Sequence, residues 1–457
     1  MSAVMKFGGT SVADPDAINR LIGIVSREKS PVVVVSALSK VTDTLVNVCS
    51  LAEDGDAGGA AQALAALVER HVSVASAVTT TSRAGVVASV KAEFDELIGL
   101  VHALAVLREV SPRSQDAVLS VGELVSSRIV AAALADRGIA SAWVDARGVL
   151  VTDAEYTAAA PDMAATCDRV RETIAPLQAA GKVAVLGGFI GATAAGVTTT
   201  LGRGGSDYSA AIFGACLDVG EIQIWTDVDG MLTADPRIVK HPRLVEQLSF
   251  NEASELAFFG AKVLHPSTIL PAVDKNIPVL ILNSRRPENT GTRITAQGRP
   301  GAAGLTALAC KRDVTVVDIT STRMLMAHGF LRRLFEVFER FKTPVDVVTT
   351  SEVSVSVTVD DTRRLDDIVD GLRHFADVSS ERDMAIICAV GENLRSDPTV
   401  FARAVNALDR VPLRLVSQAA SRRNITFVLR DADVPEAMTR LHDEFFGTTK
   451  ITKTTKG

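Results

Sequence analysis

The chain has 457 residues, too many for one hydrophobic core, and its length points to two to four domains. Hydrophobic residues make up 47% and charged residues 22%, the balance of a soluble globular protein. A net charge of -6 excludes the basic stripe of a nucleic-acid binder, so any anionic ligand must meet a local basic cluster.

Cys49, Cys167, Cys216, Cys310 and Cys388 are odd in number, far apart and in apolar or alanine-rich company. They read as buried packing residues, and none stands at metal-ligand spacing from another cysteine or a histidine. The N-terminus carries no basic region followed by an apolar run, and no stretch reaches about 18 uninterrupted apolar residues. A cytoplasmic protein without a membrane segment is expected.

Residues 3–7 read as a short buried strand. Asp14 caps a helix with Pro15 at its first position, predicted to run to about Lys29. SPVVVVSAL (30–38) is a β-branched apolar run, the pattern of a strand buried on both faces. Strand, glycine loop, helix and strand make a βαβ unit and imply a parallel sheet with a right-handed crossover. Residues 53–111 have helical spacing and few breakers. Further buried strands are predicted within 141–146, 181–189, 220–228 and 277–283, alternating with helices. ENTGTRITAQGRPGAAG (288–304) is polar and rich in Gly and Thr, and marks a boundary.

The remainder contains an internal repeat, Gly329–Leu372 and Thr399–His442. Each copy reads as helix, strand, turn, alternating strand, turn and helix. Preceding strands at 314–320 and 384–390 complete a βαββαβ unit in both. Such paired units either bind a small molecule at their interface or serve oligomerisation.

Chemistry gathers at predicted strand ends. MKFGGTSVAD (5–14) places Lys6 ahead of Gly8 and Gly9; this is not the P-loop pattern, whose lysine follows its second glycine. The glycines admit backbone amides to phosphate oxygens and Lys6 adds positive charge. LGRGGSDYSAA (201–211) brackets Arg203 with Gly202, Gly204 and Gly205, and Ser206 is expected to cap the helix that follows. A helix N-terminus beside an arginine is an anion site, with Arg203 able to fork onto a carboxylate or phosphate. Asp207 then needs a cation, either Lys6 or a magnesium ion. Gly187–Phe189 ends another strand. Trp225–Gly230 follows a further one, with Arg237 soon after; Lys262 sits near a helix end, and His265 reads as structural. Ser36 and Thr42 offer hydroxyls. Glu123 is a carboxylate in an apolar helical stretch, costly unless it meets a cation, and a substrate ammonium suits it. No Ser-His-Asp set, paired catalytic carboxylates or zinc pattern competes. Phosphoryl transfer needs chiefly positioning and charge neutralisation, and a carboxylate acceptor needs no general base at pH 7.

KFGGTSVAD, SVGEL, TTTLGRGGSDYSAA, IWTDVDG, ADPR and FGAKVLHP, in this order, resemble the aspartate kinases of the amino-acid kinase superfamily. The resemblance covers essentially the whole chain. It implies an α/β fold: a carbamate-kinase-like, three-layer parallel-sheet domain over 1–295, plus two ferredoxin-like βαββαβ ACT domains. The first of these, 312–380, would be inserted within the second, formed by 300–311 and 381–450. The implied reaction is MgATP plus L-aspartate giving ADP and 4-phospho-L-aspartate, the first step of aspartate-family amino-acid biosynthesis. By the same likeness Lys6 contacts ATP phosphates with Asp207 orienting it, and Gly8, Gly9 and Gly188 line the phosphoryl path. Arg203, Ser36, Thr42, Gly204 and Ser206 hold the aspartate and Glu123 takes its ammonium. Thr226, Asp227, Leu232, Arg237, Lys262 and Val263 line the ATP site, Leu232 standing where related enzymes carry tyrosine. No resident metal ligand is implied.

The regulatory half is similar to the lysine-inhibited, monofunctional subclass through MLMAHGFL (324–331) and VDVVTTSEVSVSVTVD (345–360). This implies an L-lysine effector pocket of Met324, Gly329, Phe330, Leu331, Val345, Asp346, Thr350, Ser351 and Glu352, and a homodimer or homotetramer through the ACT domains. Met326, Ala327 and Pro344 depart from that subclass. The sequence ends shortly after the second repeat, so no fused homoserine dehydrogenase is expected. A catalytically silent amino-acid sensor is the competing reading, against which the presence of Lys6, Arg203 and Asp207 counts.

Overall fold

The computed structural model describes residues 2–260, 266–298, 304–324, 328–418 and 421–447. Lys262, Val263, His265, Met326 and Ala327 lie outside the described residues. The chain divides into two compact units. One comprises Met1–Met231, Glu246–Phe250 and Val263–Gly298; the other comprises Leu232–Val245, Asn251–Lys262 and Arg299–Gly457.

The chain begins with β1 (Ala3–Phe7), α1 (Pro15–Val25), β2 (Val32–Val35), α2 (Val41–Glu53), α3 (Ala57–Val78), α4 (Arg83–Leu107) and α5 (Pro112–Asp136). There follow β3 (Ser141–Trp143), α6 (Ala146–Val149), β4 (Val151–Thr152), α7 (Met163–Thr173), α8 (Ala175–Ala179), β5 (Val183–Gly187), β6 (Ile190–Thr193) and β7 (Thr198–Thr200). Next come α9 (Gly205–Cys216), β8 (Glu221–Thr226), β9 (Gln247–Ser249), α10 (Phe250–Phe258), α11 (Leu270–Asp274), β10 (Val279–Asn283) and β11 (Thr292–Thr295).

The main sheet of the first unit runs β3-β5-β2-β1-β8-β10-β11-β9. β1 pairs in parallel with β2 and β8, Lys6 standing opposite Val34 and Ile224. Both faces of these strands are covered, which is why β2 is four consecutive buried valines. Asp14 caps α1 by accepting from the Ala17 amide at 2.8 Å. The helix stops at Val25, short of the predicted Lys29, because Arg27 and Glu28 turn back on Ile24 and Val25. The long helical stretch breaks after Val78, where Asp136 accepts from the amides of Thr80 and Ser82. α5 has the length and composition of a membrane span, yet its apolar window is 83% buried inside the fold. The presumed boundary at 288–304 carries β11, which alternates buried Thr292 and Ile294 and pairs antiparallel with β10 and parallel with β9.

The second unit holds β12 (Gly304–Thr320), α12 (Phe330–Arg340), β13 (Val348–Thr350), β14 (Ser354–Val359) and α13 (Leu365–Arg373). β15 (Asp377–Glu392), α14 (Pro398–Ala407), β16 (Leu413–Ser417), β17 (Asn424–Arg430) and α15 (Val434–Phe446) complete it. Its sheet order is β13-β14-β12-β15-β17-β16. β12 is one long strand: residues 315–320 pair with β14 and with the start of β15, and residues 304–311 with the end of β15. The register shifts after Lys311, where Asp313 takes a φ of 59°. Two apolar clusters pack under this sheet, one around Val317, Leu334 and Ile368, the other around Ile387, Phe427 and Leu441.

The cysteine expectation fails at one pair. Cys167 on α7 and Cys216 at the end of α9 form a disulfide, their Cα atoms 4.7 Å apart. Linear spacing hid it, because helix packing brings the two together. Cys49 and Cys388 are buried as expected, whereas Cys310 is only half-buried.

Candidate active site

The carboxyl ends of β1, β2, β5 and β8 converge. Hydrogen bonds extend the parallel register past the strands: Gly8 N–H donates to Trp225 O at 3.0 Å, Ser36 N–H to Phe7 O at 3.0 Å and Gly188 N–H to Val35 O at 2.9 Å. Ligands of parallel α/β sheets sit at this edge. Gly188 abuts the first turn of α9 so closely that a Cβ would lie 2.7 Å from Ser206 Cβ, so any side chain there would push the helix off the strand end.

Lys6 Nζ lies 2.6 Å from Asp207 Oδ1, answering the need of Asp207 for a cation. Asp207 occupies the first turn of α9, whose cap is Gly204 in the left-handed conformation with φ 73°. Ser206 is therefore not the cap; it lies one position inside the helix, and no side chain closes the N-terminus. In the first turn the Gly205 amide closes on Gly202 O and the Asp207 amide on Gly204 O. Positive charge on this edge therefore comes from the helix dipole and from the exposed guanidinium of Arg203, which has no ion-pair partner among the described residues.

Glu123 is 3% exposed on α5. Its Oε1 accepts from the Ala37 amide at 3.1 Å, and its Oε2 is buried without a partner among the described residues. Burial pushes this carboxyl up to about 8, against the opposing pull of the Ala37 amide and the Lys6 charge. An orphaned oxygen on a desolvated carboxylate is a receptor for an ammonium. Ser36 is held through its carbonyl by the Ser126 hydroxyl at 2.9 Å, and Thr42 lies in the first turn of α2.

Thr226 ends β8 and Asp227 follows it, the threonine hydroxyl 3.4 Å from Asp227 Oδ1. Leu232 and Arg237 belong to the second unit; Leu232 bridges to Leu244, and Arg237 forks onto Asp235 at 3.0 and 2.6 Å.

Three supporting residues escape the sequence reading. Arg70 on α3 donates to Ser39 O at 2.8 Å and Ala13 O at 3.1 Å, tying down two site loops. Asp229 accepts from Asn283 at 2.7 Å and Asn289 at 3.0 Å and pairs with Arg286, setting the turn after β8. Asp116 is a second buried carboxylate on α5; its spacing of two helical turns from Glu123 was the available signal. Asp229 stands within the IWTDVDG motif, though the sequence reading gives it no role, and nothing local marks Arg70.

In the second unit Phe330, Met324 and Val345 join one apolar cluster, and Gly329 caps α12 with φ 82°. Leu331, Thr350, Ser351 and Glu352 are exposed, Ser351 hydrogen-bonding Ser354 through their hydroxyls at 2.7 Å. Asp346 is already paired: Lys311 Nζ lies 2.8 Å from its Oδ1 and 2.7 Å from Asp360 Oδ2. Asp346 Oδ2 remains buried without a partner among the described residues, and burial raises its carboxyl despite Lys311.

A largely parallel sheet with glycine loops, a lysine and a helix N-terminus at its carboxyl edge, in one chain with antiparallel βαββαβ units, defines an amino-acid kinase with an ACT region. A model of the amino acid kinase family matches residues 1–283, and one of the ACT domain matches residues 387–445. Aspartokinase 1, chloroplastic, of Arabidopsis thaliana is 36% identical over 98% of this chain and 80% of its own length. Lysine-sensitive aspartokinase 3 of Escherichia coli (strain K12) is 35% identical over 97% of this chain and 99% of its own. The crystal structure of E. coli aspartokinase III with aspartate and ADP aligns at a TM-score of 0.84, 33% identical, covering 98% of this chain and 100% of that one. Its complex with lysine and aspartate aligns at 0.82, also 33% identical, covering 97% and 99%. The chain belongs to the aspartokinase family.

Proposed function

We propose that the chain transfers the γ-phosphoryl group of MgATP to the side-chain carboxylate of L-aspartate. A carboxylate oxygen forms the new bond to phosphorus, the bond to the β–γ bridging oxygen breaks, and ADP leaves with 4-phospho-L-aspartate as product. The acceptor is already ionised, so the protein's task is to align two anions and neutralise their charge. The observation that carries this reading is the Lys6–Asp207 pair at the strand ends, with the orphaned Glu123 carboxylate at the same end of the fold.

Lys6 neutralises the phosphates, directed by Asp207, while Gly8, Gly9 and Gly188 let backbone approach the transferring group. Arg203 grips the α-carboxylate, with Ser36, Thr42, Gly204 and Ser206 around it, and Glu123 receives the ammonium. Thr226, Asp227, Leu232, Arg237, Lys262 and Val263 line the nucleotide site. Magnesium arrives as part of the nucleotide substrate.

We assign 1–295 to the kinase domain, 312–380 to an inserted ACT domain and 300–311 with 381–450 to the other. L-Lysine is the proposed effector, held at 324, 329–331, 345–346 and 350–352, in a cytoplasmic homo-oligomer feeding lysine, threonine and methionine synthesis. The E. coli relative crystallised with lysine supports the effector. The test is initial-rate ADP formation from MgATP and L-aspartate, with product trapped by hydroxylamine, with and without millimolar L-lysine. Turnover suppressed by lysine is expected; absence of turnover on aspartate overturns the acceptor.

A further inference from the structure

Asp116 is completely buried, at 0% exposure, and among the described residues its partners are all uncharged. Its carboxylate accepts from the Thr157 amide at 3.1 and 3.0 Å, from the Thr200 amide at 3.0 Å and from the Thr200 hydroxyl at 2.6 Å. A fully desolvated carboxylate is costly, and amide and hydroxyl donors are what make it tolerable. The donors come from two separate segments, so one side chain clamps the turn before Ala158 to the end of β7.

Both clamped segments lead to Arg203. Thr157 has a φ of 71°, a left-handed conformation unfavourable for a β-branched residue that persists only where its surroundings hold it. Gly202, also left-handed at φ 73°, sits on the Thr157 carbonyl, where a Cβ would come within 3.0 Å. Thr200 O accepts from the Ala159 amide at 2.9 Å, and Gly205 N–H closes back on Gly202 O at 3.0 Å. Arg203 is therefore carried between two left-handed glycines, and the first of them is seated on the residue that Asp116 holds in strain.

We propose that Asp116 is a positioning residue for Arg203, fixing the backbone from which the guanidinium reaches the carboxylate of the acceptor. The inference rests on Arg203 serving as that clamp. Asp116 touches neither substrate; it acts through Thr157, Thr200 and Gly202. A structural anchor alone would lower stability and the fraction of active enzyme while leaving the apparent affinity for the acceptor unchanged.

The experiment is steady-state kinetics of the full chain with Asp116→Asn, Thr200→Val, Thr200→Ser, Arg203→Lys and the double variant Asp116→Asn/Arg203→Lys. Asparagine presents an NH2 to amide donors and should displace the clamp. KM for aspartate is expected to rise about ten- to a hundredfold, with KM for MgATP constant within about twofold. Thr200→Val, which removes only the hydroxyl bond, should raise the same KM less, and Thr200→Ser should restore it. The double variant should be no worse for aspartate than Arg203→Lys alone, because both act on one contact. A raised KM in Arg203→Lys with an unchanged one in Asp116→Asn, or in Thr200→Val if the former does not fold, overturns the positioning role alone. Additive effects in the double variant also overturn it. An unchanged KM in Arg203→Lys overturns the clamp assignment and this inference with it.

Discussion

Lys6 Nζ and Asp207 Oδ1 lie 2.6 Å apart, with side chains only 12% and 14% exposed. Lys6 lies next to the end of β1 and Asp207 in the first turn of α9, so the pair is made by the crossover geometry of the sheet. A largely desolvated carboxylate beside an ammonium restricts where that ammonium can reach. Lys6→Met should lower kcat by about two to three orders of magnitude, the scale for removing one preorganised charge from a transition state. Lysine binding, followed by calorimetry, should survive. Normal turnover in Lys6→Met would remove Lys6 from the mechanism.

With Glu123 as the proposed receptor of the substrate ammonium, aspartate binding should be pH-dependent. Its carboxyl is raised to about 8 from an ordinary 4.5, so the ligand-free fold holds a proton that the unfolded chain releases. Between those two values the folded state binds more protons, and ligand-free stability should fall as pH rises through this window. An ammonium ligand requires the ionised form, so binding expels the proton. KM for aspartate should decrease as pH rises towards 8, and calorimetric heats should depend on the buffer's ionisation enthalpy. Glu123→Gln should abolish both effects; a pH profile it leaves unaltered would assign them to another group.

The Cys167–Cys216 bond closes a chain segment with a sequence separation of 49 that contains Gly188, Arg203 and Asp207. Loop-closure entropy for that length corresponds to about 4 kcal/mol at most. Oxidised protein should melt several degrees above both the Cys167→Ser variant and the protein treated with dithiothreitol, with the last two coinciding. Thiol titration in denaturant should detect Cys49, Cys310 and Cys388 alone in the oxidised form.

Lys311 places an internal ammonium on Asp346 and Asp360, leaving one carboxylate charge of the trio uncompensated. Asp346→Asn should abolish lysine inhibition with little change in basal kcat. Lys311→Met removes the competing cation, and lysine should then inhibit at concentrations lower by about tenfold, the scale of one charge-assisted hydrogen bond. Dose–response curves against L-lysine measure both, and weaker inhibition in Lys311→Met would show that Lys311 supports the effector.

What could be read from the linear chain is what depends on near neighbours. Four valines in a row announce a strand buried on both faces, Asp14-Pro15 a helix start, and the glycines around Lys6 and Arg203 a backbone able to approach an anion. The apolar setting of Glu123 likewise marked it as an unusual carboxylate. The rest depends on which distant segments meet. That Lys6 is the cation of Asp207, that Gly204 rather than Ser206 caps α9, that Cys167 reaches Cys216, and that Lys311 covers Asp346 follow from how layers cross and strands register. Asp116 shows the difference most directly. Its residue type and helical position were visible, but its burial and its hold on Thr157 and Thr200 exist only once α5, the turn at 157 and β7 pack together. Periodicity and turn chemistry act over a few residues and leave a trace in the sequence; partner choice is decided by close packing over the whole domain and leaves none.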